Sequence, residues 1–216
     1  METVLKICRF DPEQNPSPYF QEFAMRLEGT QTVLDALLLA WQQDPSLSFR
    51  RSCRSAICGS CAVRINGQAA LACQTLMQKA ATAGKPVIVE PLPHFRQLKD
   101  LVVDLEPFFE SLKAVAPWLL LREDYDGRMA PEVARRLENP ATCILCGICH
   151  ADLDEAGELK PAAVVKALRL AGDPRDALGI HRLRLLQMPP EVLTLFIKRL
   201  PEKCPKGITM DPPESF

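Results

Sequence analysis

Eight of the nine cysteines in this chain fall into two sets of four, and their spacing limits what each set can hold. The first set lies in SCRSAICGSCAVRINGQAALAC: Cys53, Cys58 after four residues, Cys61 after two more, then Cys73 beyond eleven. Four thiolates arranged in this way suit a [2Fe–2S] cluster, in which each of two irons takes two cysteine sulfurs. The loop has to wrap tightly around such a group, and Ser55, Ala56, Gly59 and Ser60 are small enough to allow it. Backbone N–H groups in such a loop can also hydrogen-bond the sulfurs and tune the potential. Arg50, Arg51 and Arg54 flank the set, and positive charge there favours a reduced cluster; taken alone, they read as solvated surface residues. A structural zinc site is the alternative, but such sites usually come as two Cys-x2-Cys pairs rather than a triplet in one loop.

The second set is Cys143, Cys146 and Cys149, with two residues between neighbours, and the remote Cys204, which is followed by Pro205. Three cysteines at this spacing supply three corners of a [4Fe–4S] cubane, and the Cys-Pro pair supplies the fourth, in the ferredoxin manner. Zinc is again the alternative, although three cysteines so close crowd a tetrahedral site. His150 adjoins Cys149 and reads either as a ligand replacement or as a histidine on the surface or just behind the ligands. Cys8 is left over and reads as a small buried residue on a strand. His94 and His181 join no constellation, and there is no Ser/His/Asp set, phosphate-cradling glycine loop or catalytic carboxylate pair. The chain is therefore expected to carry electrons and to have no catalytic site of its own.

The bulk numbers agree with a soluble intracellular protein. Of 216 residues, 47% are hydrophobic and 25% charged, which is ordinary for globular chains. A net charge of −1 gives no reason to expect nucleic acid or an anionic membrane surface as a partner. No apolar run approaches the roughly 18–20 residues of a membrane helix, so no direct membrane span is expected. METVLKICRF has neither a secretory core nor a transit-peptide character, which makes disulfides a poor account of nine cysteines. The expected location is cytoplasmic, with any membrane attachment on the inner face and through partner subunits.

The elements that must position these sets change character along the chain. The first hundred residues read as β-rich. Strands are expected over TVLKICRF, Tyr19–Leu27, Ala62–Ile65, Ala69–Ala72 and Val87–Glu90, the last of the series. Pro12–Pro18 reads as a break, and Asn66-Gly67 as a two-residue hairpin turn. TVLDALLLAWQQ reads as a helix capped by Thr32 with Asp35 three residues on. Helices are expected after Asp100: Leu101–Ala114, Pro131–Leu137, Leu159–Leu170 and Pro190–Leu200. A domain boundary falls near residues 93–105, and we divide the chain into 1–100 and 101–216.

These stretches together resemble the iron–sulfur subunit of succinate dehydrogenase and fumarate reductase. The matching residues are RFDPE (9–13), TVLDALL (32–38), FRRSCRSAICGSCAVRINGQAALAC (49–73), PLPHFRQLKDLVVDLEPFF (91–109), CILCGIC (143–149), GDPRD (172–176) and CPKGI (204–208). Ala56 departs from the glycine common in the family. The resemblance implies an α+β fold, with an N-terminal β-grasp domain like plant-type ferredoxins followed by an all-α, helical-ferredoxin-like domain. It implies a FAD-bearing flavoprotein partner that interconverts succinate and fumarate. It also implies a relay from flavin to [2Fe–2S] on Cys53, Cys58, Cys61 and Cys73, then to [4Fe–4S] on Cys143, Cys146, Cys149 and Cys204.

A third cluster, [3Fe–4S], usually follows beside a quinone pocket, and here the sequence departs from the family. The three ligands of that cluster would map to Leu153, Thr194 and Leu200, none of them a thiol, and the histidine after the second maps to Leu195. The family's Cys-Pro and paired tryptophans after the triplet are also missing; Trp41 and Trp118 lie elsewhere. No [3Fe–4S] cluster is expected, and Leu153, Leu195, Phe196 and Leu200 are expected to fill the freed volume with apolar packing. Electrons would then leave from the [4Fe–4S] cluster to a further acceptor subunit: a haem, a differently bound quinone or another iron–sulfur protein, membrane-anchored or not. Two alternatives stay open at this point: an electron-transfer subunit of another flavoprotein or hydrogenase-like complex, and a non-redox module with structural zinc.

Overall fold

A computed structural model describes residues 2–26, 28–82, 84–151 and 161–210. The chain forms two compact units, residues 1–104 with 144–152 and residues 105–143 with 153–216. Chain order alone does not divide the cysteine triplet this way: Cys146 and Cys149 belong to the first unit and Cys143 to the second.

The first unit is a five-stranded mixed sheet in the order β2-β1-β5-β3-β4, made of β1 (Glu2–Asp11), β2 (Asn15–Arg26), β3 (Ala62–Ile65), β4 (Gln68–Leu71) and β5 (Val87–Glu90). β1 runs antiparallel to β2 and parallel to β5, while β3 is antiparallel to both β4 and β5. Helix α1 (Val33–Gln43) contributes Val33, Leu34, Ala36, Leu37 and Ala40 to the core it shares with Leu5, Ile7, Val63, Ile65, Val87 and Val89. This is the expected β-grasp arrangement. Both arms of the α1 capping box are present: Thr32 Oγ1 accepts from the Asp35 N–H at 3.2 Å, and the Asp35 carboxylate accepts from the Thr32 N–H at 2.8 Å. The Asn66-Gly67 turn has φ of 48° and 84°, the left-handed pair that a two-residue hairpin needs.

The structure corrects several boundaries. Pro16 and Pro18 do not break the chain but lie in β2, because β2 is a sheet edge and an edge strand can spare their missing N–H groups. Val87–Glu90 is not the last strand, since a small hairpin of β6 (Gln97–Lys99) and β7 (Val102–Val103) follows. That hairpin occupies the start of the expected 101–114 helix, so α3 begins only at Glu106 and runs to Lys113. A four-residue helix, α2 (Met77–Ala80), has no periodicity to announce it.

One buried ionic node fixes the approach to the first cysteine loop. Asp100 is 1% exposed and accepts hydrogen bonds from Arg9 Nε at 2.9 Å, the Phe10 N–H at 3.0 Å and the Ser48 N–H at 2.7 Å. Arg9 also donates to Asp44 at 2.9 Å, to Ser46 at 2.8 Å and to Gln21. Residues 44–48, which lead into Cys53, are thereby tied to β1 and to the β6–β7 hairpin.

The second unit is helical, with α3, α4 (Pro131–Ala141), α5 (Pro161–Ala171), a 3-10 segment over Gly179–Leu186, and α6 (Pro190–Lys203). α5 is buried on nearly every side, from Pro161 through Leu170, as befits a helix that α3, α4 and the 3-10 segment surround. No helix among the described residues is long and apolar enough to cross a membrane.

Candidate functional site: two cysteine loops

All nine cysteines lie among the described residues, and none of them forms a disulfide. The first loop is built from left-handed backbone. Arg54, Ala56 and Gly59 have φ of 59°, 56° and 72°, and this curl turns successive N–H groups inward. Three of those groups point at one sulfur: Ser55, Ile57 and Cys58 donate to Cys53 Sγ at 3.4, 3.4 and 3.3 Å. A fourth, from Ala56, reaches Cys73 Sγ at 3.3 Å. The four thiols meet in pairs, Cys53 with Cys58 and Cys61 with Cys73. Strand β3 begins just after Cys61, and β4 ends two residues before Cys73, so the hairpin carries the distant cysteine back to the loop.

The electrostatics of the two pairs differ. The N–H groups of Ser55, Ile57 and Cys58, with the Cys58 thiol, pull the Cys53 thiol down to about 6. Burial pushes the Cys61 thiol up to about 12, beside Cys73, with which it shares a hydrogen bond. A bare thiolate at Cys61 is thus costly, and cationic iron is the kind of partner that displaces such a proton. The donor set, the pairing and the inward N–H groups all fit a two-iron, sulfide-bridged group. Among the described residues, no three of the His, Cys, Asp and Glu side chains are arranged to hold a single metal ion.

Arg51 lies over the rings of both Trp41 and Phe49, 5.6 Å from each centroid, while Arg54 is exposed to solvent. Ala56, like Arg54 and Leu145, is a non-glycine residue held in left-handed backbone beside the cysteines. A left-handed alanine costs about 1 kcal/mol, and glycine's freer unfolded chain gives back roughly 0.5 kcal/mol. Ala56→Gly is therefore expected to stabilise the chain by only about 0.5 kcal/mol, read as a small rise in the denaturant midpoint. A lower midpoint would show that Ala56 is not strained.

In the second loop, Gly147 (φ 78°) turns the chain into a 3-10 turn over Ile148–His150. Phe95 and Leu92 pack against the Gly147 turn. His150 is not a surface residue: it is partly buried, its ring centroid 4.5 Å from that of Phe95. Burial lowers its pKa, and a hydrogen bond to the His94 carbonyl only partly opposes that. The first and second loops touch within the first unit, where buried Gly59 lies against Cys146 and Ile144. In the second unit, Asn139 receives the Thr209 N–H at 2.8 Å and donates to the Gly207 carbonyl at 3.2 Å, fixing the chain after Cys204. Cys204 itself caps α6, its N–H donating to the Leu200 carbonyl at 2.9 Å.

Of the positions that map to the lost third ligand set, Leu153 lies outside the described residues. Thr194 sits on α6 with its hydroxyl donating to the Pro190 carbonyl at 2.9 Å, and Leu200 is 2% exposed. Phe196 is buried as expected, but Leu195 is 51% exposed and fills no interior volume. The helical period explains this: Leu193, Phe196, Ile197 and Leu200 form the buried stripe of α6, and position 195 falls on the opposite face.

Sequence reasoning missed a buried ion pair made by the last residue of GDPRD. Asp176 grips Arg182, which is 0% exposed and also donates to the carbonyls of Val115, Ala116 and Trp118. No short motif links an aspartate to an arginine six residues on through a 3-10 turn, so the sequence carried no signal for the pair.

Residues 4–110 match the family described as 2Fe-2S iron-sulfur cluster binding domain. The succinate dehydrogenase [ubiquinone] iron-sulfur subunit of Dictyostelium discoideum is 35% identical over 94% of this chain and 77% of that protein. The fumarate reductase iron-sulfur subunit of Haemophilus influenzae is 34% identical, over 94% of this chain and 87% of its own length. Among solved structures, a chain of the Mycobacterium smegmatis Sdh1 complex shares the fold with a TM-score of 0.77 at 24% identity, covering 96% of this chain and 89% of that one. The chain belongs to the family of iron–sulfur subunits of succinate dehydrogenase and fumarate reductase.

Proposed function

We propose that this chain relays electrons between a FAD-containing flavoprotein and a downstream acceptor subunit, through one [2Fe–2S] and one [4Fe–4S] centre and without a third. Cys53, Cys58, Cys61 and Cys73 would hold the first, and Cys143, Cys146, Cys149 and Cys204 the second. When bound, these groups supply one-electron transfer. The chain's own residues supply thiolates, the curled N–H groups at Cys53, and a buried pocket around Cys61 and Cys73. The observation that carries the reading is the pairing of the first four sulfurs, two and two, beneath inward-facing N–H groups. In this reading residues 1–100 form the plant-type ferredoxin-like domain and residues 101–216 the helical one. The chain sits peripherally on the inner face of the membrane, held there by partner subunits.

The test is succinate-dependent bleaching of the anaerobically isolated chain with its native partners. Both centres are expected to be reduced by succinate through the flavoprotein. If dithionite reduces both centres and succinate reduces neither, the chain serves a different flavoprotein.

A further inference from the structure

The geometry points to Gly59 as the residue that sets the spacing between the two centres. This rests on the reading above that both cysteine sets hold clusters. Gly59 lies between Cys58 and Cys61, is buried, and has φ of 72°. A Cβ there would stand 2.7 Å from Cys146 Cβ, 2.9 Å from Cys146 Cα and 3.1 Å from the Ile144 carbonyl oxygen. These are backbone atoms and the first atom of a ligand side chain, so none of them can swing aside. Phe95 and Leu92 pack about the second loop's turn, 3.3 and 3.6 Å from where a Gly147 Cβ would be. Any side chain at position 59 therefore parts the two loops by several tenths of an ångström.

Such a gap matters because electron tunnelling falls exponentially with separation, and magnetic dipolar coupling falls with its cube. One electron passes between the centres, oxidising one and reducing the other, with no bond made or broken. Gly59 touches neither reactant and acts through distance alone. Gly67 provides the contrast. It is equally left-handed, at 84°, yet among the described residues beyond its chain neighbours nothing comes nearer to its Cβ position than the Arg64 guanidinium, at 3.9 Å. Its need for glycine is conformational, whereas the need at Gly59 is steric as well.

The test uses the full chain isolated anaerobically with its partners, in three variants: Gly59→Ala, Gly59→Asn and Gly67→Ala. Asparagine tolerates left-handed backbone, so Gly59→Asn adds bulk with less strain, while Gly67→Ala adds strain without bulk. Iron content and the spectrum of each centre establish that both are assembled. The fully reduced protein then gives the spin–spin coupling by EPR, and freeze-quench gives the rate of transfer between the centres. Both Gly59 variants are expected to keep their iron, to show modestly but measurably weaker coupling and to transfer roughly half as fast, with Gly67→Ala unchanged. Wild-type coupling and rate in an assembled Gly59 variant would overturn the spacing role. So would loss of the first centre from both Gly59 variants while Gly67→Ala stays intact, since Gly59 would then serve only loop folding. A wild-type chain free of iron would instead sink the underlying reading.

Discussion

Replacing Asp176 by asparagine is expected to destabilise the helical unit by about 3–5 kcal/mol, the usual effect of removing one partner from a buried ion pair. The Asp176 carboxylate accepts from Arg182 Nε at 2.7 Å and Nη2 at 2.5 Å, from the Leu120 N–H at 3.1 Å and from the Gly179 N–H at 2.9 Å. An asparagine amide would turn an N–H₂ toward donors and leave the fully buried guanidinium uncompensated. Arg182→Met is expected to cost about as much, because it orphans the same carboxylate along with the carbonyls of Val115, Ala116 and Trp118. The double variant is expected to cost clearly less than the two single costs added, since both remove one shared interaction. Thermal melts followed by helical circular dichroism would show the order; full additivity would mean that the pair does not act as a unit. Acid should mimic the first variant. Burial raises the Asp176 pKa, but Arg182 and the two N–H groups outweigh it and hold the carboxyl below the usual value of 3.8. The stabilisation is then present above pH 3.8 and is lost as pH falls through the lower folded value.

Much of this molecule is legible in its sequence because its strongest signals are local. The Thr32–Asp35 capping box, the Asn66-Gly67 turn and Pro131 and Pro190 at the starts of helices each specify a few consecutive residues, and the structure places them as expected. What the sequence did not disclose depends on contacts between distant segments. Pro16 and Pro18 look like a break until β2 is known to be a sheet edge. Leu195 looks like a core residue until the register of α6 shows it on the wet face. The Asp100 and Asp176 nodes join residues 91 and 56 positions apart along the chain. Cysteine spacing can be weighed before the fold because the polynuclear iron groups proposed here would impose the spacing themselves. The curl at Arg54, Ala56 and Gly59 could not, since two of those three residues are not glycine.

Iron analysis of the anaerobically isolated complex, with haem and other partner-borne iron subtracted, is expected to give about six irons per chain, two from the first set and four from the second. Cys73→Ala is expected to remove the smaller centre and leave about four irons, because the buried Cys61–Cys73 pair would then offer one iron a single thiolate. Alanine is the better probe, since serine could still offer an oxygen. Cys146→Ala with Cys204→Ala is expected to leave about two irons, since two thiolates are too few to hold a cubane. A third centre would raise the wild-type count to about nine and give the oxidised protein a [3Fe–4S] EPR signal. Neither is expected. The Thr194 hydroxyl is committed to the Pro190 carbonyl, and Leu200 offers only hydrocarbon in a closed interior. A soft, thiophilic iron cluster has no ligand at either place. The sample must stay anaerobic, because oxidation can strip one iron from a cubane and imitate the signal whose absence is being tested. A count near nine under those conditions would restore the third centre and move the electron exit back beside α6.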